Sequence, residues 1–456
     1  MTKYTSSIHE LDGAVVYMAN AGDRDVLVCE GKAYFGGTDG TNTYELNHEV
    51  ANKLRALFPF TAPKPVLGYD RSIGLGDRLG LATIGHIRVM EKYDIMPVFA
   101  QQSIRELDLT GRTYEDVMDS ATFAVFRENF TRGFGADGDH LKKPEDIEYA
   151  LSLGFSMLTL DLSEHIHAKA DGEYSQDIDS LYLGKVFDVE GEKISFDEKE
   201  LQRVKGIYGE ALDFAVEMYE RFLKDGKYGC DLEISIDETD TPTKPSEHYF
   251  VAAELKRRGV KVMTIAPRFI GEFQKGIDYI GDPEQFDAEM KVHAAIARHF
   301  GHKVSVHSGS DKLSVFPSVG KRTNQRYHVK TAGTNWLEAM RIVALRAPGM
   351  YREIHAFALS AFDEARKYYH VTTDIAAIPD INTLTDAQLP ELFNDNNARQ
   401  LIHITYGLIL KAQDANGTYR FKTRLYKFWR EHSEEYAQAL EAHIGRHLEK
   451  LGCPKA

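Results

Sequence analysis

The spacing of hydrophobic and polar positions changes twice along the chain. Residues 1–62 carry the alternating runs AVVYM and DVLVCEG, followed by the turn-rich GGTDGTN, so a small β-rich region opens the sequence. From 63 to 334, short β-branched runs recur, each followed by polar residues and then by helical spacing. The clearest are MPVFAQQ (96–102), SMLTLDLSEH (156–165), DLEISIDET (231–239), KVMTIAPRF (261–269), KVSVHSGSD (303–311) and YHVKTAG (327–333). Amphipathic helices are predicted over Glu200–Leu223, Ser246–Arg258 and Asp282–Phe300, the last with Asp282 as N-cap and Pro283 at its first position. From 335 to 456 the strand texture fades. NWLEAMRIVALRA, EIHAFALSAFDEARKYY, ARQLIHITYGLILKA and the final RLYKFWREHSEEYAQALEAHIGRHLEKL are all spaced as helices.

Strands alternating with helices predict an α/β fold with parallel strands and crossover helices. A (β/α)8 TIM-like barrel over 63–334 is preferred to an open doubly wound sheet. Polar residues fall at the C-terminal ends of many successive strands rather than at one switch point. The barrel is then flanked by the β-rich region 1–62 and a helical C-terminal extension, 335–456.

Composition narrows the partners. Hydrophobic residues make up 43% and charged residues 27% of the 456, and the net charge of −14 disfavours a nucleic acid or an anionic membrane as partner. It leaves room for a small anionic substrate, because a few local cations reverse the sign inside one pocket. The three cysteines, Cys29, Cys230 and Cys453, are far apart, which speaks against a disulfide framework or a thiolate zinc site. No apolar signal core or membrane-length run is found, so the expected location is cytoplasmic.

At the C-terminal end of a barrel, the first polar residues beyond each strand share one pocket. They are Gln101 and Gln102, Asp161 and His165, Asp237 and Glu238, Arg268 and Glu272, His307 with Ser308, Asp311 and Lys312, and His328 with Lys330. A lone strand-end histidine is more often a hydrogen-bonded structural residue than a ligand. Three of them at separate strand ends, His165, His307 and His328, are candidate ligands for a divalent metal with one position open to substrate. HSGSDK (307–312) either brings a substrate group close to backbone N–H donors or is a polar loop in which Ser310 or Asp311 caps the next helix. The glycine-rich RSIGLGDRLG (71–80) has neither dinucleotide nor Walker spacing, and is expected to be a tight turn with Asp77 or Arg78 in a local ion pair. Tyr114–Phe134 is expected to be a packed helix. His293, His299, His302, His355, His370, His403, His443 and His447 are expected at packing or surface positions.

Taken together, IGLGDRLG, FAQQSIRE, TGRTYEDVMDSAT, GFGADGDHLKKPED, LDLSEH, SIDETDTPT, RFIGEFQKGIDYIGD, VHSGSDKLSV, HVKTAGT and ARQLIHITYG resemble the tagaturonate/fructuronate epimerase family of bacterial hexuronate breakdown. The resemblance runs from about residue 65 to about 410; RFIGEFQKGIDY and HVKTAGT are its most specific stretches. It implies an isomerase that interconverts D-tagaturonate and D-fructuronate with a divalent cation (Zn, Mn, Ni or Co). It also implies metal ligands at His165, His307 and His328, and proton-transfer carboxylates at Asp161 and Glu272. These keto-uronates differ at the carbon β to the ketone, which simple enolisation does not scramble. Retro-aldol cleavage does: with the ketone polarised by the cation, the C–C bond opens, the aldehyde half rotates, and the bond re-forms on the other face. Gln102, Arg268, Lys312 and Lys330 are the candidate substrate-binding residues, the three cations for the carboxylate. A metal-dependent aldolase or ketose isomerase for a related keto sugar would share the pocket. A non-catalytic sugar-acid-binding barrel would have no use for free carboxylates beside a three-histidine site.

Overall fold

Eight parallel strands wind in chain order in the computed structural model, which describes residues 1–456. They are β1 (Arg71–Leu75), β2 (Met96–Ser103), β3 (Gly135–Leu141), β4 (Met157–Asp161), β5 (Asp231–Ile236), β6 (Thr264–Pro267), β7 (Lys303–Val306) and β8 (Tyr327–Thr331). The barrel closes where β8 pairs with β1, from Tyr327↔Arg71 to Thr331↔Leu75, so no edge strand is left.

Alternation along each strand separates two chemistries. Ile73, Leu75, Leu158, Leu160, Ile234, Ile236, Val304, Val306 and Val329 belong to the main hydrophobic core, packed beneath the surrounding helices. The other face of the same strands fills the barrel with hydrogen-bonding groups. Near the N-terminal end, Ser72 Oγ lies 2.9 Å from His328 Nδ1 and accepts a 2.9 Å bond from Lys303 Nζ. Further up, Thr264 donates to Glu233 at 2.7 Å, and Thr159 donates to Asp137 at 3.0 Å. The strand–helix layer therefore supplies the hydrophobic stabilisation, and the barrel interior supplies a polar scaffold.

The helices start where their caps place them. Asp282 accepts from Glu284 N at the start of Pro283–Phe300, and Gly301 ends that helix at φ 92°, a left-handed position suited to glycine. Helices Glu198–Phe222 and Pro245–Arg257 lie within two residues of their predicted bounds. Between β4 and β5 the chain adds a hairpin, Lys185–Val189 with Glu192–Phe196, that the sequence pattern did not announce. Its polar, half-exposed strands lack a strong alternation, and it is fixed by Phe187 and Phe196 packing on Tyr182 and Tyr249.

The N-terminal strands form an antiparallel sheet that packs with helix His48–Leu57 against Phe123 and Phe126 of helix Tyr114–Glu128. After β8 the chain is helical. Its helices gather around Trp336 and Trp429, 5.9 Å apart, and the last one, Ser433–Lys450, lies back on Thr83–Met90 of the barrel. No helix is long and apolar enough to cross a membrane.

Several histidines are sealed between these layers. Burial lowers the pKa of His86, His293, His355 and His447 to about 4 and that of His302 to about 3. An unfolded chain takes up those protons near pH 6.5 and the folded chain refuses them, so stability present above pH 6.5 is lost as pH falls toward 4. His443 works in the opposite sense. Burial opposes its charge, but Asp311 at 2.9 Å raises its pKa to about 9, so its contribution is full below pH 6.5 and is lost on rising through 9. Scanning calorimetry from pH 6.5 to 4.5 is expected to show Tm falling steadily, with a loss of about 1.4 kcal/mol per pH unit for each refused proton. A Tm unchanged between pH 6.5 and 5 would show that these imidazoles are not buried in their neutral form.

Candidate active site

A cavity opens at the C-terminal ends of the strands, and only one of its 20 lining residues is hydrophobic. Such a lining suits a polyhydroxylated ligand, since most small-molecule pockets are mainly apolar. Its roof comes from outside the strands: the strap Gln274–Gly276 after β6, and His403 from helix Asn396–Ile404.

One side of the cavity gathers nitrogen and carboxylate donors. His140, near the end of β3, adopts φ 56°, and Ser308 and Asp311 after β7 adopt φ 49° and 62°. Three non-glycine residues in the left-handed region around one pocket is local strain of the kind that accompanies functional sites. The rings of His140 and His307 are 5.0 Å apart. His140 Nδ1 is 3.0 Å from Asp161 Oδ2, and His140, Asp161 and Glu238 hold one ligand atom each within 4.8 Å of one another. His307 Nε2 is 2.7 Å from Glu233 Oε1, while its buried Nδ1 lies 3.1 Å from Asp237 Oδ1 without hydrogen-bond alignment. Burial works against a charge on His307, yet Asp237 and Glu233 outweigh it and push its pKa up to about 10. These groups favour positive charge in their midst.

Beneath them sits Lys330, buried, with Nζ 2.7 Å from Asp137, 2.5 Å from Asp139 and 3.0 Å from Glu233. The three carboxylates hold its pKa well above that of a free lysine, although burial opposes this. The same contact splits the two aspartates. Burial dominates at Asp137 and raises it to about 6; at Asp139, Lys330 and His140 overcome burial and hold it at about 2.

The predicted metal trio is not brought together. His307 lines the cavity, but His165 is turned out by the 3-10 turn Ser163–His165 and stacks on Phe214 at 4.2 Å. His328 is two residues before Lys330 on the same inward face, so it lies about 7 Å deeper in the barrel. There its Nδ1 faces Ser72, and burial lowers its pKa to about 3. Asp161 is buried behind His140, tied to Ser163 N at 2.9 Å. Glu272 lies two residues before the strap and outside the lining, 43% exposed and 3.2 Å from His370. Gln102 points away from the cavity, which Gln101 and Ser103 line instead. Arg268 is outside the lining, its backbone tied to Thr243. Lys312 reaches the wall, but its Nζ donates to the carbonyls of Gln274, Ile277 and Ser310 at 2.7–2.9 Å, holding the strap in place. Neither Ser310 nor Asp311 caps the next helix, whose N-cap position is Val315. Arg78 does form an ion pair, but with distant Glu106 at 2.6 Å rather than locally.

Sequence reasoning listed Asp237 and Glu238 as strand-end candidates, and both line the cavity. It passed over His140, Asp139 and Lys275, which line it too, and it expected His403 at a packing or surface position, whereas that ring also lines the cavity. The run DGDH (137–140) carried a usable signal, alternate acids that end on a histidine, although no strand was expected there. The strand pattern gave no signal for His403 and Lys275, which come from segments outside it, although both lie in stretches that carry the family resemblance, ARQLIHITYG and RFIGEFQKGIDY.

Comparison with known proteins places this geometry. Residues 4–451 match the family model for UxaE, described as tagaturonate epimerase. A tagaturonate/fructuronate epimerase of Thermotoga maritima is 43% identical over 471 aligned residues, covering 98% of this chain and 96% of the relative. A glycerol-complexed crystal structure of the fructuronate-tagaturonate epimerase UxaE from Cohnella laeviribosi superposes with a TM-score of 0.96 at 49% identity, over 99% of this chain and 96% of that one. The native crystal structure of the same enzyme gives 0.95 at 48%, with the same coverage. With the match running through barrel, N-terminal sheet and helical extension alike, the chain belongs to the UxaE tagaturonate epimerase family.

Proposed function

We propose that this protein interconverts D-tagaturonate and D-fructuronate by retro-aldol cleavage and re-closure, with a divalent cation bound. The observation that carries the proposal is one polar pocket in which histidine and carboxylate donors face a separate cationic end, in a chain of this family. His140 and His307, with Asp237 and Glu238, offer a mixed nitrogen and oxygen donor set that suits a first-row divalent ion such as Zn, Mn, Ni or Co. The unaligned 3.1 Å approach of His307 Nδ1 to Asp237 supports that fit, since a pair meant for one another would align its proton. Such an ion, when bound, would polarise the substrate ketone and stabilise the negative charge that develops there.

The chain's own groups supply the rest. Asp161 orients the His140 ring through Nδ1, a positioning role rather than proton transfer. Asp139 lines the pocket as an ionised carboxylate beside Lys330, placed to take the hydroxyl proton from the carbon β to the ketone at cleavage and return it at closure. His403 and the strap cover the cavity, which keeps the two halves of the sugar together between those events.

Purified, metal-loaded protein incubated with fructuronate is expected to yield tagaturonate without free three-carbon fragments. Dialysis against a chelator should abolish the turnover, and added divalent metal should restore it. Accumulating fragments would identify an aldolase instead. Full turnover by metal-free protein would remove the ion from the mechanism.

A further inference from the structure

The cavity's other end carries two cations, Lys275 and Arg105, that make no ion pair. Lys275 sits on its wall, and the one side-chain contact of its Nζ is Ser308 Oγ at 3.4 Å. Arg105 lines the same end, its guanidinium 5.2 Å from the Tyr369 ring centre and in no ion pair. The nearby acid, Glu106, pairs with Arg78 instead, which bonds its Oε1 at 2.6 and 2.9 Å. His403 is fully buried here with neither ring nitrogen hydrogen-bonded. It fits only because residue 333 is glycine, where a Cβ would come within 2.1 Å of its ring. Helix Thr334–Arg346 also begins at this end, adding the positive pole of its dipole.

Cations out of bulk water are normally paired, and the other lysines of the pocket obey the rule. Lys330 has three carboxylates and Lys312 three carbonyls. Lys275, half-buried on the wall, has no such partner, and Arg105 stands exposed at the cavity mouth in no ion pair. Burial, reinforced by Arg105 and Arg78, outweighs the pull of Glu106 and lowers the pKa of Lys275, a cost that a bound anion would relieve.

We propose that Lys275, assisted by Arg105 and His403, is the seat of the substrate carboxylate, and selects keto acids over neutral ketoses. The inference deepens the epimerase reading above and rests on it for the identity of the substrate. In a keto-hexuronate the carboxylate belongs to the half that leaves as the aldehyde. When the C–C bond breaks, its electron pair stays with the ketone half and the hydroxyl proton goes to Asp139. Held by its carboxylate, the aldehyde half turns about the bond next to it and presents its other face. The seat thus does two things: it sets specificity, and it keeps the fragment from escaping during the turn.

Lys275→Met tests this by kinetics and by binding on the metal-loaded protein. For fructuronate, KM is expected to rise about 30-fold, the usual scale for losing a charge-assisted hydrogen bond. Three-carbon fragments should now leak into solution. Titration calorimetry with D-galactonate and with galactitol, its neutral alcohol, gives a second reading that needs no turnover. Wild type should bind the acid about 30-fold more tightly, Lys275→Met should lose most of that preference, and Lys275→Arg should keep part of it. A preference kept by Lys275→Met, or absent from wild type, overturns the seat. Failure of wild type to convert either keto-uronate overturns the epimerase reading instead, and the galactonate comparison still decides the seat.

Discussion

His307→Gln is expected to lose about 10³-fold or more in kcat/KM while the barrel stays folded. The ring is the one group that spans both layers of the site. Nε2 bonds Glu233 in the barrel interior at 2.7 Å, and Nδ1 faces the donors around Asp237. Glutamine can replace the bond to Glu233, but it is a poor ligand for a divalent ion. Losing ketone polarisation of about 4 kcal/mol corresponds to three decades in rate. Metal content, measured on the purified variant, should fall together with turnover. His165→Gln serves as the contrast, because that ring is stacked on Phe214 away from the cavity and its loss should leave the rate within a few-fold. A His307→Gln protein with wild-type metal and rate would overturn the donor set proposed here, and loss of metal and rate in both variants would favour the trio expected from sequence.

Lys330→Met should both destabilise the fold and stop turnover. The ammonium is buried among Asp137, Asp139 and Glu233, all within 3.0 Å, so its removal leaves three acids facing one another out of reach of bulk water. Breaking a buried charge pair by deleting one partner costs about 3–5 kcal/mol, because the remaining charge is left uncompensated. Urea unfolding monitored by circular dichroism would read this directly. Adding Asp137→Asn to the variant should recover part of the stability, since it removes one of the stranded charges. It should not recover turnover, because Asp139 still lacks the cation that keeps it ionised and in place. A Lys330→Met protein of wild-type stability would show that the acids are compensated by other means.

The sequence by itself determined the fold and the class of chemistry. Period-two runs such as MLTLD and DLEISI, joined by helices with readable caps at Asp282–Pro283, specify parallel strands with crossovers, because those signals act over a few residues. Acids and histidines at strand ends announced the pocket, and the family resemblance named a substrate class. Tertiary structure alone decided which residues share the pocket, and the reason is geometric. A strand pattern tells which residues point inward but not how deep each one lies, so His328 and Lys330 look equivalent in sequence, although the first is sunk beside Ser72 and the second meets the acids under the cavity. A turn just past a strand can discard a residue, as it does His165, or keep one in a strained conformation, as it does His140 at φ 56°. Closure then sets β3, β5 and β7 side chains within a few ångströms of one another across more than 160 residues of chain, from His140 to His307. The cationic end is the least local feature of all. Lys275 and His403 arrive from a strap and an outer helix, and only the packing of the helical layer onto the barrel makes them neighbours.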